Sequence, residues 1–472
     1  MKNHTIAAIS TPAGHGGIGI IKLSGSEAIS LSLSVFKPRT VSTHQKTTCD
    51  LYSNEVVFPV SRHLYYGHVY NGNFGQAIDE ALFVVMRGPC SYTGEDVAEI
   101  QTHAGPFVLQ TILNALIHNG ARIAEPGEFT RRAFLNGRID LTQAEAVIDI
   151  INARSAQSID LAMSMVSGNL RDEMVSLREP IWNALSFIEA AIDFPDDMDT
   201  ETDAAPLFSG IENEVVPKIQ ALISRYDELN FLREGLKVVI VGGPNVGKSS
   251  LMNRLVSKER SIVTDVPGTT RDFIEDSFTA NGVSIIVTDT AGIRENPDPV
   301  EQIGIEKAWT VISEADMILF TLDAGKTIQP GDLSLFERLA DKKLIIVINK
   351  TDLPDHQIRL SLPSAWATTE SIRVSALYNQ GIDALKERMA RMSLGSEIRH
   401  EAKIVPNLRH KQCLENALQS LNDARNGILR SLSFEMISID LRSALDDLSE
   451  ITGDTVKPDI LDAIFSRFCI GK

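Results

Sequence analysis

The feature that most constrains the fold is the stretch Gly242-Gly-Pro-Asn-Val-Gly-Lys-Ser249, a complete GxxxxGK[ST] pattern. The apolar run KVVIVGG leads into it and the amphipathic run SSLMNRLVSK follows, which predicts a strand, a loop and a helix in that order. Glycines let backbone N–H groups approach phosphate oxygens, and a helix N-terminus adds positive potential. We therefore expect Lys248 to reach the β- and γ-phosphates of a nucleoside triphosphate and Ser249 to ligate Mg²⁺.

The chain from Lys237 to about residue 394 alternates buried-strand runs with helices, which predicts a mostly parallel α/β sheet. Asn349-Lys-Thr-Asp352 follows one such strand, and Ser375-Ala376 follows another. A carboxylate at Asp352 can accept hydrogen bonds from both N1–H and the 2-amino group of guanine, whereas adenine has an acceptor at N1 and no 2-amino group. The pattern predicts GTP rather than ATP as the nucleotide.

Two further segments complete the predicted nucleotide site. Asp289-Thr-Ala-Gly292 ends a strand and suits a carboxylate near Mg²⁺, and Thr270 is the expected second Mg²⁺ ligand beside Ser249. Ile293 stands where Ras-like GTPases have the glutamine that orients the attacking water, so another group must do this. The predicted nucleotide contacts are Asn245, Val246, Gly247, Lys248, Ser249, Ser250, Thr264, Asp265, Val266, Pro267, Gly268, Thr269, Thr270, Asp289, Thr290, Ala291, Gly292, Asn349, Lys350, Asp352, Ser375, Ala376 and Leu377.

The rest of the chain divides by pattern into an α+β part and helical parts. Short strand-like runs such as IGIIKLSG and EALFVVM precede the helical run FVLQTILNALIHNG. Long helices are expected from Thr142, where Thr142-x-x-Glu145 reads as a capping box. A helical domain interrupted by an inserted α/β domain fits this order. The predicted domains are 1–138 (α+β), 139–234 (helical), 235–394 (P-loop domain) and 395–472 (helical).

Composition limits the partners and the compartment. The formal net charge of −17 excludes binding of nucleic acid through a broad basic face, so any RNA contact must be local. The four cysteines form no CxxC pair, which favours a reduced cytosol over a disulfide framework or a zinc site. The sequence has no apolar run of membrane-spanning length and no signal-peptide pattern, so we predict a cytoplasmic protein with no membrane partner.

The ends of the chain closely resemble one family. The stretches TIAAISTPAGHGGIGIIKLSG, YTGEDVAEIQTHAGP, PGEFTRRAFLNGRIDLTQAEA and the terminal FCIGK are similar to those of the MnmE (TrmE)-type tRNA-modification GTPases, and the likeness covers essentially the whole chain. The resemblance implies an N-terminal tetrahydrofolate-binding and dimerisation domain, a discontinuous helical-bundle domain and an inserted Ras-like P-loop GTPase domain.

The resemblance also implies a function. The family acts as a homodimer, in a heterotetramer with an MnmG-type flavoprotein, on C5 of the wobble uridine (position 34) of certain tRNAs. The product is carboxymethylaminomethyluridine or the aminomethyl form. GTP hydrolysis drives a conformational cycle, a 5-formyl- or 5,10-methylene-tetrahydrofolate is the folate derivative, and FAD and NADH belong to the partner.

Family site residues are carried over position by position. The resemblance implies K⁺ ligands at Asn245, Thr264, Val266 and Thr269, and a catalytic Glu301. Lys248 of the P-loop is a further catalytic candidate. It implies folate contacts at Lys22, Glu99, Arg138 and Lys472, with lysine at 22 where the family more commonly has arginine. Cys469 in the terminal CIGK is a catalytic candidate, although a cysteine in an apolar FCI context is more often inert.

Three alternatives stay open on sequence grounds. The P-loop motifs alone also fit a ribosome-assembly GTPase. A folate-sensing scaffold, in which GTP only regulates binding, is the alternative from another class. The run Gly14 to Gly19, GHGGIG, matches a dinucleotide-binding pattern, but we expect no strand before it and a strand rather than a helix after it.

Overall fold

The computed structural model describes residues 4–39, 59–71, 75–194, 208–256, 275–289, 308–394 and 404–472. The chain packs into two compact units, one of Met1–Ile148 with Leu445–Lys472 and the other of Asp149–Ala444. This division passes through two helices, after Ile148 and after Ala444.

The first unit is built on a seven-stranded sheet with the strand order β3-β4-β5-β6-β2-β1-β7. Neighbouring strands pair antiparallel except β1 and β7, which are parallel. The strands are β1 (Ile6–Ile9), β2 (Gly16–Ser24), β3 (Phe36–Pro38), β4 (Tyr65–Tyr70), β5 (Ala77–Met86), β6 (Val97–Ala104) and β7 (Arg122–Ile123).

Two helices, α1 (Ala28–Val35) and α2 (Pro106–His118), share a buried apolar core with this sheet. A third, α3 (Glu128–Leu135), contributes Phe129 to a separate cluster with Ile6 and Ala8. The predicted α+β character is confirmed.

The strand β1 corrects one expectation about the run Gly14 to Gly19. It ends at Ile9, so a strand does precede this run, contrary to prediction. β1 is only four residues long, and its two central alanines carry little strand preference, which explains the miss. The expectation of a strand after the run is confirmed, because β2 begins at Gly16. The dinucleotide-binding motif requires a helix there.

The first helical stretch consists of α4 (Leu141–Asn152), α5 (Ala156–Val166), α6 (Asn169–Asp193) and α7 (Val216–Glu234). The predicted capping box Thr142-x-x-Glu145 is wrong. Asp140 Oδ1 accepts from the Gln143 N–H at 3.0 Å and Gln143 Oε1 accepts from the Asp140 N–H at 3.0 Å. An aspartate is at least as good a cap as threonine, and it lies two residues earlier, which leaves Thr142 buried inside the helix.

The P-loop domain has a six-stranded sheet with the order β13-β12-β11-β8-β10-β9, in which only the β9–β10 pair is antiparallel. The four central strands are parallel, so their carboxyl ends lie along one edge. The elements are β8 (Leu236–Val241), α8 (Lys248–Val256), β9 (Glu275–Ala280), β10 (Val283–Asp289), β11 (Met317–Asp323), α9 (Pro330–Arg338), β12 (Leu344–Asn349), β13 (Ser371–Arg373) and α10 (Ile382–Leu394).

The chain becomes helical again in α11 (Leu408–Leu429), α12 (Phe434–Thr452) and α13 (Pro458–Phe465). Within the first unit, Ile464 and Phe465 of α13 pack against Leu141 and Ala144 of α4. Helical segments on both sides of the α/β domain confirm the predicted discontinuous arrangement. No helix in the described part of the chain is long and apolar enough to span a membrane.

Candidate functional site

The P-loop lies where the sequence predicts it, between the end of β8 at Val241 and the start of α8 at Lys248. Gly242 has φ 154°, and a Cβ there would lie 2.3 Å from the carbonyl oxygen of Thr321. Gly247 has φ 94°, and a Cβ there would lie 2.4 Å from Nδ2 of Asn349. Only glycine fits either position, and the loop places backbone N–H groups ahead of a helix N-terminus, where anions bind.

Lys248 folds back over this loop. Its Nζ donates to the carbonyl oxygens of Gly242 and Gly243, both at 3.0 Å, and the residue is only 8% exposed. Burial lowers the pKa of Lys248, while the charge of Asp289 acts to raise it. A buried ammonium whose hydrogen bonds go to neutral carbonyls leaves its charge unneutralised at close range, which suits a polyphosphate.

Ser249 and Asp289 fit a Mg²⁺ site. Ser249 Oγ donates to Asp289 Oδ2 at 2.7 Å, which brings a hydroxyl and a carboxylate together at the end of the P-loop. Asp289 Oδ1 is buried and has no hydrogen-bond partner among the described residues. Oxygen donors of these two kinds are what Mg²⁺ prefers, and an unpartnered carboxylate oxygen is a site where a cation or its bound water would be stabilised.

The predicted guanine-reading residues meet at the carboxyl end of β12. Asn349 is 2% exposed; its Nδ2 donates to the Val246 carbonyl at 3.0 Å and its Oδ1 accepts from the Ala376 N–H at 3.1 Å. Ser375 Oγ donates to Asp352 Oδ1 at 2.5 Å. A cavity of about 470 Å³ opens here, lined by Gly247, Ser250, Asn253, Arg254, Asn349, Lys350, Asp352, Leu353, Ala376 and Leu377.

Lys350 links the P-loop to Asp323, at the end of β11. Its backbone is left-handed, with φ 63°, and its Nζ donates to the Asn245 carbonyl at 2.9 Å and to Asp323 Oδ2 at 2.7 Å. Asn245 is also left-handed, with φ 61°, and is exposed. Its side chain has no hydrogen bond to any described residue, so its amide oxygen is available as a ligand.

Part of the predicted site lies outside the described residues. This applies to Ile293, to the catalytic candidate Glu301, to the Mg²⁺ candidate Thr270 and to three of the four predicted K⁺ ligands. The predicted contacts that lie outside are Thr264, Asp265, Val266, Pro267, Gly268, Thr269, Thr270, Thr290, Ala291 and Gly292.

A second group of functional candidates gathers in the first unit. Lys22 on β2 is directly opposite Glu99 on β6. Lys22 Nζ lies 4.7 Å from the ring centroid of Tyr92 and 5.4 Å from that of Phe129. The guanidinium carbon of Arg138 lies 5.0 Å from the Tyr92 centroid, and one of its amino groups donates to the Tyr92 carbonyl at 2.9 Å.

The charges in this group act on one another. Burial lowers the pKa of Lys22, Glu99 raises it, and Lys472 and Arg138 lower it further. The charges of the other three predicted folate residues therefore all act on the Lys22 ammonium. The chain terminus is held beside β1, where Ser10 Oγ donates to the Gly471 carbonyl at 3.2 Å.

Cys469 belongs to the same terminal segment. It is exposed, and its carbonyl accepts from the Gly127 N–H at 3.4 Å. Its proposed catalytic role stays a prediction.

Two family models match the chain. "GTP-binding protein TrmE N-terminus" matches residues 5–138, and "MnmE helical domain" matches residues 141–469. Among curated proteins, "tRNA modification GTPase MnmE" of Desulforamulus reducens is 42% identical, and the protein of the same name from Syntrophus aciditrophicus is 43% identical. Each alignment covers 100% of this chain and 100% of the relative. The chain belongs to the MnmE family.

As a member of the MnmE family the chain is a GTPase, which uses a guanine nucleotide together with Mg²⁺. Among solved structures, Era from Aquifex aeolicus bound to GDP and AlF₄⁻ matches 39% of this chain and 66% of its own. The identity is 30% and the TM-score 0.28, a likeness too low to support a conclusion about this protein.

Three side chains at the two candidate sites are not predicted from the sequence. Asp323 ends β11 and binds Lys350; its place at the carboxyl end of a parallel strand is a signal that could have found it. Tyr92 lies within the quoted run YTGEDVAEI, but nothing in its spacing shows that Lys22 and Arg138 would meet at its ring. Arg254 gives no signal along the sequence, because its partners are more than a hundred residues away.

Proposed function

We propose that the chain is a K⁺-dependent GTP hydrolase that modifies tRNA together with an MnmG-type flavoprotein. The modified atom is C5 of the wobble uridine, position 34, of certain tRNAs, and the product is carboxymethylaminomethyluridine. One observation carries the GTP-dependent part of the proposal. Asn349 joins the P-loop at Val246 to the loop at Ala376, which supports a phosphate site and a guanine site side by side.

At the phosphate end, Lys248 and the backbone N–H groups of the loop bind the β- and γ-phosphates. Ser249 and Thr270 ligate Mg²⁺, with Asp289 hydrogen-bonded to Ser249. When bound, Mg²⁺ neutralises charge that develops on the phosphate oxygens. At the base end, Asp352 accepts from guanine N1–H and the 2-amino group, and Ser375 holds the carboxylate in place.

We propose Asn245, Thr264, Val266 and Thr269 as the K⁺ ligands. The exposed amide of Asn245 in the P-loop supports this, since oxygen donors suit a hard monovalent cation. K⁺ supplies positive charge where an arginine acts in other GTPases. A bound K⁺ would also favour the pairing of two P-loop domains in a homodimer. Hydrolysis should be at least about tenfold faster in KCl than in NaCl at equal ionic strength.

Asn245→Ala should lose that stimulation while keeping its affinity for GDP. Glu301 is proposed to position the attacking water, because Ile293 has no polar group to do so. Glu301→Ala should keep GTP binding and lose turnover by about 10² to 10⁴. Equal rates in the two salts contradict the K⁺ sites, and full turnover in Glu301→Ala contradicts the role of Glu301.

In the first unit, Lys22, Glu99, Arg138 and Lys472 are proposed to bind a 5-formyl- or 5,10-methylene-tetrahydrofolate. Cations suit the carboxylates of the glutamyl tail, and Glu99 can accept from pterin N–H donors. The aromatic ring of Tyr92, which is close to two of these cations, supports a flat, partly apolar ligand here. The folate supplies the one-carbon unit, and FAD and NADH act on the partner.

The homodimer, the heterotetramer with the flavoprotein and the catalytic role of Cys469 are proposed from family membership alone. The cytoplasmic location and the four domains at 1–138, 139–234, 235–394 and 395–472 are proposed from the sequence patterns given above.

The deciding experiment is nucleoside mass spectrometry of tRNA from a strain that lacks the chain. We expect carboxymethylaminomethyluridine to disappear, and to return with the wild-type chain but not with Lys248→Ala. Wobble uridines that keep their modification contradict the proposal. Co-sedimentation with ribosomal subunits would then favour a ribosome-assembly GTPase. Full rescue by Lys248→Ala would favour a folate-sensing scaffold.

A further inference from the structure

Arg254 lies in the last turn of α8, the helix that begins at the P-loop, and reaches across to the loop after β13. Its Nε donates to the Ala376 carbonyl at 2.8 Å, and a terminal amino group donates to the Leu377 carbonyl at 3.0 Å. A guanidinium is planar, and its donors form a rigid fork, so two such bonds fix the orientation of two consecutive peptide groups.

The same loop is held from its other side by side chains of the guanine site. The Ala376 N–H donates to Asn349 Oδ1 at 3.1 Å, and the Tyr378 N–H donates to Ser375 Oγ at 3.2 Å. The Ser375 N–H donates to the Gln380 carbonyl at 3.0 Å. In residues 375–378, the Leu377 N–H alone has no hydrogen bond to a described residue.

The geometry of the peptide links this N–H to Arg254. A trans peptide directs its carbonyl and its N–H in opposite directions, and the carbonyl of Ala376 belongs to the same peptide as the N–H of Leu377. Arg254 therefore sets the direction of the Leu377 N–H by holding the Ala376 carbonyl. Leu377 and Arg254 both line the cavity beside Asp352.

We propose that Arg254 is a positioning residue for guanine recognition, which orients the Leu377 N–H to donate to the oxygen at position 6 of the purine. Position 6 is an acceptor in guanine and a donor in adenine, so a fixed N–H discriminates between them. Asp352 reads the other edge of the base. This inference rests on the proposed guanine site and adds the role of Arg254 to it.

The test compares binding of three diphosphates to wild type and Arg254→Ala by isothermal titration calorimetry with Mg²⁺. GDP offers O6 and the 2-amino group, inosine diphosphate offers O6 only, and 6-thio-GDP keeps the 2-amino group but offers sulfur, a weak acceptor, at position 6. We expect Arg254→Ala to lose about tenfold in affinity for GDP and for inosine diphosphate, and less than about threefold for 6-thio-GDP.

Arg254→Lys should give an intermediate loss, because an ammonium cannot reproduce both fork contacts. Arg391→Ala is the matched control. Arg391 is an exposed arginine on α10 that pairs with Glu387, and its loss should change none of the three affinities. Thermal unfolding of each variant reports whether it is folded. If Arg254→Ala is unfolded, the three affinities are compared in Arg254→Lys instead.

An equal loss for all three nucleotides overturns the inference, because it indicates a general change of the pocket. Unchanged affinities overturn it as well. Failure of the underlying guanine assignment is distinguishable, since Asp352→Asn would then gain no affinity for xanthosine diphosphate whatever Arg254→Ala does.

Discussion

The two candidate sites differ in how the chain holds a lysine ready for an anion. Lys248 donates to backbone carbonyls of its own loop, within six residues along the chain. Lys22 lies against the rings of Tyr92 and Phe129, beside charges that come from distant segments. Burial lowers the pKa of both ammonium groups. The first site depends mainly on main-chain geometry and the second on side chains that tertiary packing brings together.

The largest expected effect is on the P-loop site. Lys248→Ala should lower GTP affinity about 100-fold, because it removes a charge-assisted contact to the phosphates. Folate affinity should stay unchanged. Calorimetric titration with a nonhydrolysable GTP analogue and with 5-formyl-tetrahydrofolate measures both. Lys342→Ala is the control, since Lys342 also donates to two carbonyls, those of Ser313 and Ala315, and should not affect GTP.

An equal loss of folate affinity in Lys248→Ala would contradict this distinction, because it would show that the GTP site and the folate site are energetically coupled.

The next effect concerns the base end of the same site. Asp352→Asn should lower GDP affinity about 30-fold and raise that for xanthosine diphosphate, because the amide donates where the carboxylate accepts. Its amide oxygen can still accept from Ser375 Oγ, so the loop should keep its position. Asp355→Asn, a nearby exposed carboxylate, should leave both affinities unchanged. Unaltered nucleotide preference in Asp352→Asn would refute the guanine assignment.

A smaller effect is expected at the candidate folate site around Lys22. Tyr92→Leu should lower folate affinity about tenfold, because it removes the ring faced by Lys22 and Arg138. Tyr92→Phe should stay within about twofold, since it keeps the ring and loses only the 2.9 Å hydrogen bond to Thr130. Tyr226→Leu removes a ring 5.2 Å from Lys411 Nζ in the other unit and serves as the control. Equal losses in Tyr92→Phe and Tyr92→Leu would transfer the role from the ring to the hydroxyl.

The smallest effect concerns a carboxylate next to Phe129. Burial raises the pKa of Glu128, but the Glu125 N–H and the guanidinium groups of Arg122 and Arg132 lower it by more. Since its pKa is lower in the folded than in the unfolded state, its stabilising contribution is full above the unfolded pKa. That contribution is lost as pH falls through the folded pKa.

Between pH 7 and pH 4, the Tm of wild type should therefore fall by about 2 °C more than that of Glu128→Gln. Circular dichroism melts measure this. Glu125→Gln, a more exposed neighbour whose carboxylate lies 3.9 Å from Arg122, is the control and should behave as wild type. Identical pH dependence in wild type and Glu128→Gln would show that this site does not rely on the charge of Glu128.

The same contrast explains what could be predicted from sequence. The P-loop and the polar residues at the ends of β10 and β12 and after β13 can be predicted because a contiguous motif and the ends of parallel strands are visible in one sequence. The folate candidates came only through the family resemblance. Tyr92 and Arg254 were missed because their partners are set by packing across the fold. The helix cap was misplaced by two residues because Asp140 and Thr142 are both good caps.

The single amide of Asn349 has a consequence for fragments of the nucleotide. It joins the carbonyl of Val246 to the N–H of Ala376, so a displacement of one end of the pocket on binding would strain the contact with the other. Guanosine and pyrophosphate, added as separate molecules, should each bind more tightly when the other is present. The affinity of the intact nucleotide then contains a term that neither piece carries alone, and an inhibitor built from only one piece would forgo it.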